Sequence, residues 1–512
     1  MTPSLDLFNL IKSLEKNEKR FFRLYSALQG EDKSYMKLFE AILAQEEYDE
    51  AKIKRLFKGN KKFLNTFSSW KNYLYSLILK SLRIHYSERS VNAELANMLA
   101  DAETLYEKGL FGQCRKILSK GKKMALLHEK YPYFFMLAEQ EDWVTIHDRD
   151  TEKVEGLTAT VNEAIASSDK YRDELEYQKL NRALFELYRK KGYVRDVEKN
   201  KEYKLIMEHP LLIGEEKPIS FRSKLFFYGT HSVYNMIKGD WKQTFKYRLK
   251  QIESAESYPD IIKRSPEAYV LLLWNLLSNS TKLKNHDVFK KTLKKMRTIQ
   301  NPVPSLRHKI FEYSHIDELY YYEKITGQFK EAVKLIPAVK EYLDKYKGKI
   351  SKENVDAFCI CLAYAYFGVG NYHEALVWLN QILNKYDKDY REDIYFSLRI
   401  MSVIIHYELG NEIFLEYDIR SSSNFIRKKR QFYMFEFRMI DFFKKKLIKA
   451  DTLQKRFVAF RQLKKELVAI SKDPNMSKVF SVFDFISWVE SKIQNRTFSE
   501  IVKEKAAGYK NK

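Results

Sequence analysis

Leu362-Ala-Tyr-Ala-Tyr-Phe-Gly-Val-Gly-Asn-Tyr-His-Glu-Ala-Leu-Val-Trp-Leu-Asn-Gln-Ile-Leu383 reads as one helix, a tight turn and a second helix. Gly370-Asn371 supplies the turn, because glycine enters the left-handed region without a steric penalty. Ala375 is small where the second helix must come close to the first. The unit is therefore a helical hairpin, and the question is how often the chain repeats it.

The same turn recurs upstream as Gly327-Gln-Phe-Lys-Glu-Ala-Val, with Phe329 and Ala332 in matching places, and as Gly239-Asp-Trp-Lys-Gln-Thr-Phe, with Trp241 and Thr244. Gly109-Leu-Phe-Gly-Gln-Cys places Phe111 and Cys114 alike, and Gly410-Asn411 follows Tyr407 downstream. Gly192-Tyr193 and Lys284-Asn285 are weaker copies. From Gly192 to Gly410 the anchors step by 47, 45, 43, 43 and 40 residues, and the 83 residues from Gly109 to Gly192 leave room for two units. Self-similarity at a fixed period is the signature of a repeat architecture.

On these residues the chain resembles the tetratricopeptide family. Its small first-helix residue falls on Ala363, its tyrosine on Tyr366, its turn glycine on Gly370 and its small second-helix residue on Ala375. The family period is about 34 residues, so these units need longer helices or longer loops. Asp387 stands where the family has a helix-ending proline. The resemblance implies an all-α fold, an α-solenoid of tetratricopeptide-like hairpins, and it extends to bacterial repeat proteins with a helical N-terminal module. It brings no assigned activity.

Composition agrees with helices. Among 512 residues there are 16 glycines and 10 prolines, too few for the turns of a β-rich chain. No stretch of about 18 apolar residues is present, and no basic segment followed by an apolar core opens the chain. The three cysteines, Cys114, Cys359 and Cys361, form no CxxC pair and no zinc-ligand spacing. Cys359 sits at a packing position of its repeat. These features point to a cytoplasmic protein in a reducing compartment.

The ends depart from the repeat. Residues 1–88 read as a basic module of four or five helices, residues 89–450 as the solenoid, and residues 451–512 as capping helices with a polar tail. Thr497-Phe-Ser-Glu500 has the form of a capping box. Open solenoid ends expose apolar seams, so both ends are expected to cap the array.

The formal charge of +23 favours acidic partners. From Ala51 to Arg83 the chain has nine Lys or Arg and no acidic residue, with Phe57, Phe63, Phe67, Trp70, Tyr73 and Tyr75 interleaved. A helix pair hinged at Gly59-Asn60 would present Lys52, Lys54, Arg55, Lys58, Lys61 and Lys62 together. Clustered cations bind phosphate, and exposed aromatics would add stacking platforms for single strands. The plainer reading makes the aromatics core and the lysines a solvated face. A second basic patch is formed by the run Arg427, Lys428, Lys429 and Arg430. With Lys444-Lys-Lys446 it brackets Phe432–Phe443, which reads as a buried helix. Ser421-Ser-Ser-Asn424 before it looks like a helix entry.

In tetratricopeptide-like folds the first helices line the ligand groove. Carried over by register, the ligand-facing positions are Arg182, Glu186 and Arg189 in the Gly192 unit and Tyr321 and Lys324 in the Gly327 unit. Tyr364 and Tyr407 follow in the next two. The family's carboxylate-clamp pattern of lysine and asparagine is not reproduced. No phosphate-loop, dinucleotide, nucleophile-elbow or zinc-protease motif is present. His315-Ile-Asp-Glu318 is the nearest approach to a catalytic cluster, and its spacing suits a solvated polar face. The expectation is a non-enzymatic scaffold with no catalytic residue, metal or cofactor. Its partner would be a protein or peptide with an acidic surface, and the alternative is nucleic acid held by the basic module.

Overall fold

The computed structural model describes residues 5–28, 34–88, 90–148, 155–191, 201–264, 266–299, 303–384, 392–428, 434–447, 450–472, 480 and 482–508. Among the described residues there are 26 α-helices and no strand. The contacts sort into two compact units. The first holds Met1–Leu175, Ile219–Arg222 and Pro259–Ser265, and the second Glu176–Pro218, Ser223–Tyr258 and Pro266–Lys512. This division does not fall at 88 or 450; it cuts through one long helix, Glu155–Lys191.

The chain opens with α1 (Asp6–Ser13), α2 (Lys16–Ala27), α3 (Ser34–Leu43), α4 (Glu50–Leu56), α5 (Lys61–Asn65) and α6 (Phe67–His85). Next come α7 (Val91–Glu107), α8 (Phe111–Leu127), α9 (Tyr131–His147) and the long α10 (Glu155–Lys191). Two separate cores serve these elements. Ile11, Phe22, Phe39, Ile53, Phe63 and Leu74 belong to the core of α1–α6, and Leu95, Cys114, Leu118, Phe134 and Val144 to that of α7–α9.

Beyond α10 lie α11 (Lys201–Met207), α12 (Phe221–Lys238), α13 (Trp241–Glu256), α14 (Pro259–Arg264), α15 (Pro266–Lys282) and α16 (His286–Arg297). They are followed by α17 (Pro304–Tyr320), α18 (Phe329–Lys345), α19 (Lys352–Gly368), α20 (Tyr372–Leu383), α21 (Glu392–Glu408) and α22 (Glu412–Lys428). The last are α23 (Met434–Asp441), α24 (Leu453–Ser471), α25 (Phe485–Gln494) and α26 (Phe498–Gly508). Both α17 and α23 run on into a π-helical turn, Tyr321–Thr326 and Phe442–Leu447.

Every repeat anchor within the described residues sits in a left-handed turn: Gly109 (φ 70°), Gly239 (78°), Lys284 (54°), Gly327 (65°), Gly370 (81°) and Gly410 (69°). Gly192 lies outside the described residues. The turn is made of two parts. The left-handed residue ends one helix, and the next N–H returns to a carbonyl five residues back, as Asn371 does to Tyr366 and Asn285 to Ser280. An Asx side chain then caps the following helix: Asp240 accepts from Gln243 N, Asn285 from Val288 N and Asn371 from Glu374 N. Five residues past the turn glycine stand Cys114, Thr244, Ala332 and Ala375, all fully buried between the paired helices. The long period arises in the helices themselves. α17, α18 and α19 have 17 residues each, and the π-turn adds six more to α17.

Lys284 is the one repeat anchor that is not glycine. An L-residue in the left-handed region bears a strain of roughly 1 kcal/mol that glycine avoids. Lys284→Gly relieves that strain but gives the unfolded chain more freedom, so a net gain of at most about 0.5 kcal/mol is expected, less what the half-buried lysine stem contributes. Thermal unfolding checks this, and a lowered midpoint contradicts it.

Ser421–Asn424 do not open a helix. They lie inside α22, where Ser421 and Ser422 accept from Arg399 at 2.8 and 3.1 Å. The capping box at Thr497–Glu500 is formed in both directions, Thr497 N to Glu500 Oε2 at 2.9 Å and Glu500 N to Thr497 Oγ1 at 3.3 Å.

Candidate functional site

The acid-free segment builds one face of the N-terminal module. Asp49 caps α4 by accepting from Lys52 N, and Asn60 caps α5 by accepting from Phe63 N. These caps fix the two short helices on either side of Gly59. Phe63 stacks on Phe57 with centroids 4.2 Å apart and meets Phe67 and Trp70 at 5.9 and 5.4 Å. Phe57, Phe63 and Phe67 are buried, so they are core and offer no stacking platform.

The cations stand outside. Lys52, Lys54, Arg55, Lys58, Lys61 and Lys62 are all exposed. Only Lys54 among them has a carboxylate within the described residues, Glu50 at 2.8 Å, which Lys71 also reaches at 2.8 Å. Burial resists ionisation of Glu50, but hydrogen bonds from Lys54, Lys71 and Tyr48 outweigh it and bring its pKa down to about 2. Acidic residues lie on the approach to α4, at Glu46, Glu47 and Asp49, and stop at Glu50. Beyond it the surface has one sign.

The second basic patch does not join this face as a described surface. Arg427 and Lys428 form the last two positions of α22, and their side chains fall outside what the structure describes. Lys429 and Arg430 lie outside the described residues altogether. The sequence expectation of a basic patch at Arg427, Lys428, Lys429 and Arg430 thus lies outside the described side chains, and the site described is that of α4 and α5.

The positions carried over from the family's groove separate into three environments. Arg182, Glu186 and Arg189 are exposed at one-turn spacing on α10. Tyr321 is buried instead, stacked on Phe289 at 4.0 Å, with its hydroxyl 2.8 Å from His286 Nδ1. Tyr364 is buried too, and here the chain covers its own helices. Phe483 and Phe498 pack on the Tyr364 ring at 5.3 and 5.8 Å, and the Lys324 ammonium lies 3.4 Å from its centroid. Lys324 Nζ donates to the Val482 carbonyl at 2.8 Å. Tyr407 is half-buried, 6.1 Å from Trp488. Lys324, Tyr364 and Tyr407 are thus roofed by residues 482–498, and neither Tyr321 nor Tyr364 faces an open groove. The physical cause is the aromatic content of the C-terminal segment, which finds its apolar partners on α17–α21.

Beneath that roof lies a polar cluster that the sequence does not announce. Glu323 and Lys324 occupy the π-turn, a geometry frequent at functional sites. Burial pulls the Lys324 pKa down to about 8, against the opposing pull of Glu323, Asp484 and Cys361, and pushes the Glu323 carboxyl well up. The Cys361 thiol is raised by the same burial. Lys324 ties this cluster to the roof through its hydrogen bond to the Val482 carbonyl.

His315, Asp317 and Glu318 also differ from the solvated face that their spacing suggests. His315 stacks on Phe311 at 3.8 Å, while Asp317 and Glu318 are buried. Trp274 Nε1 donates to Asp317 at 2.8 Å, and Arg297 pairs with Glu318 at 2.6 Å. Each buried carboxyl thus has a hydrogen-bonding partner, as burial of a polar group requires. Among the described residues no three His, Cys, Asp or Glu side chains gather as metal ligands, and no helix is long and apolar enough to cross a membrane.

No protein family, curated protein or solved structure matches the chain. The tetratricopeptide resemblance accordingly stays with the turn and packing residues quoted above.

Proposed function

We propose that the protein is a non-enzymatic cytoplasmic interaction scaffold, its hairpins stacked as a tetratricopeptide-like solenoid, and that the face of α4 and α5 receives an acidic partner. One observation carries this reading: Lys52, Arg55, Lys58, Lys61 and Lys62 are exposed without a carboxylate among the described residues. Like charges held together on a folded surface repel one another, and an acidic partner relieves that repulsion. Leu56, 69% exposed between Lys52 and Lys58, adds an apolar contact suited to a protein surface.

Nucleic acid is the second reading, favoured by the predominance of lysine, which contacts phosphate as a point charge. The burial of Phe57, Phe63 and Phe67 removes three of the six aromatics as stacking platforms and leaves Tyr73 and Tyr75 exposed on the next helix. The combined substitution Lys58→Glu, Lys61→Glu and Lys62→Glu separates the outcomes. The wild-type chain is expected to retain an acidic protein from an extract of its own cells, and the triple variant to lose it. On the second reading the wild type shifts RNA or DNA at low salt, with affinity falling steeply as salt rises. Retention of the same partners by the triple variant contradicts both.

A further inference from the structure

Two exposed faces of the second unit complement each other. On the first two turns of α22, Ile413, Phe414 and Tyr417 are 84%, 61% and 71% exposed. Glu412 and Glu416 flank them on the same turns, exposed and without a described cation as partner. Large apolar side chains this open on one helix face mark an interaction surface. Unpaired acids beside them are unexpected on a chain of net charge +23.

The opposite character appears on α24. Its outer stripe is an open, solvent-facing surface of Val458, Val468 and Ala469 together with Arg461, Lys465 and Lys472. Val458 is 64% exposed. Lys464 beside them is engaged with Glu490 at 2.8 Å, whereas Arg461, Lys465 and Lys472 have no carboxylate among the described residues. The stripe runs 15 residues, about 22 Å at 1.5 Å per residue, long enough to seat two or three turns of another helix.

We propose that these two faces dock a second copy of this chain, α22 of each protomer packing along the α24 stripe of the other. Charge complementarity selects that occupant: an acid-flanked apolar helix face and a basic stripe carrying apolar side chains belong to the same unit, and described residues of the chain leave both exposed. A two-fold arrangement uses the contact twice, and such isologous pairing is the commonest form of closed assembly. It doubles the area of a single helix-on-helix contact, and a stable interface needs roughly 1,200 Å² or more.

Sedimentation equilibrium of the full chain tests this with charge reversals. The wild-type mass is expected to approach twice the monomer value as concentration rises. Reversing α22 (Glu412→Lys with Glu416→Lys) or α24 (Arg461→Glu with Lys465→Glu) should weaken self-association roughly a hundredfold or more, because each sets like charges opposite one another. Mixing the two reversed proteins should restore a dimer, since each then offers the other a complementary face. A single chain with all four changes should dimerise with itself. A wild type that stays monomeric, dimers that persist in both reversed variants, or a mixture that fails to associate each overturns the proposal. Folding of every variant is verified by its helical circular dichroism, and the rescue arms separate lost contacts from lost structure.

Discussion

Trp488→Ala is expected to destabilise the second unit by about 3–5 kcal/mol, the range for removing a buried large aromatic. The indole is fully buried, 5.8 Å from Phe443, 5.7 Å from Phe460 and 6.1 Å from Tyr407. Its Nε1–H donates to Glu408 Oε1 at 2.6 Å, while Lys492 holds the other oxygen at 2.6 Å. Alanine leaves a cavity among three aromatic rings and removes a donor to a buried carboxylate, and each loss adds to the other. The effect should spread, because the same C-terminal segment seats Phe483 and Phe498 over Tyr364 and the α26 backbone against Gly327. Trp488→Phe keeps most of the ring packing and loses only the donor, so it should cost about 1–2 kcal/mol. Urea unfolding of the three proteins measures both differences. A loss below about 1 kcal/mol for the alanine variant would mean that the C-terminal helices are not anchored by this residue.

The same contrast between near and far explains what the sequence discloses. Turn chemistry is local, so Gly370-Asn371 and its relatives announce the hairpins. The small residues five positions on announce which side each second helix turns inward. Lys284 shows that the pattern survives even where the glycine is missing. Exposure of Lys52 to Lys62 is legible for a related reason: a run of cations without a neighbouring acid has no local means of neutralisation, so it faces water. What covers a helix is a different matter. Lys324 meets Val482 across 158 residues and Trp488 meets Glu408 across 80. Register alone would leave Tyr364 facing a ligand, because nothing within its own repeat says that Phe483 and Phe498 return to it. The π-turn holding Glu323 and Lys324 is equally silent, since one extra residue per turn barely alters apolar spacing over six positions. The break between units is hidden because α10 runs through it as one continuous helix.

Asp317→Asn is expected to stabilise the protein at pH 8 by up to about 4 kcal/mol while changing little near pH 4. Burial drives the Asp317 pKa up from 3.8 to about 7, against the Trp274 hydrogen bond and Lys282, which pull it down. In the unfolded chain the carboxyl titrates near its ordinary value of about 3.9. Between about pH 4 and pH 7, then, the folded state keeps a proton that the unfolded state has released. Stability rises with pH where the unfolded state binds more protons, and here the folded state binds more, so this group makes stability fall as pH rises. The fall begins near pH 4 and levels off above about pH 7. Three pH units at about 1.4 kcal/mol each give the upper limit stated. Asparagine has no proton to lose, and its side-chain carbonyl can still accept from Trp274 Nε1, whose ring stacks on Tyr313 at 4.3 Å. Leucine, by contrast, would leave that indole N–H without its acceptor and forfeit part of the gain. Urea midpoints for wild type and Asp317→Asn, taken at intervals from pH 4 to pH 8, should diverge steadily with the variant above. If wild type instead gains on the variant as pH rises, Asp317 is held ionised by its partners, and burial is not what governs it.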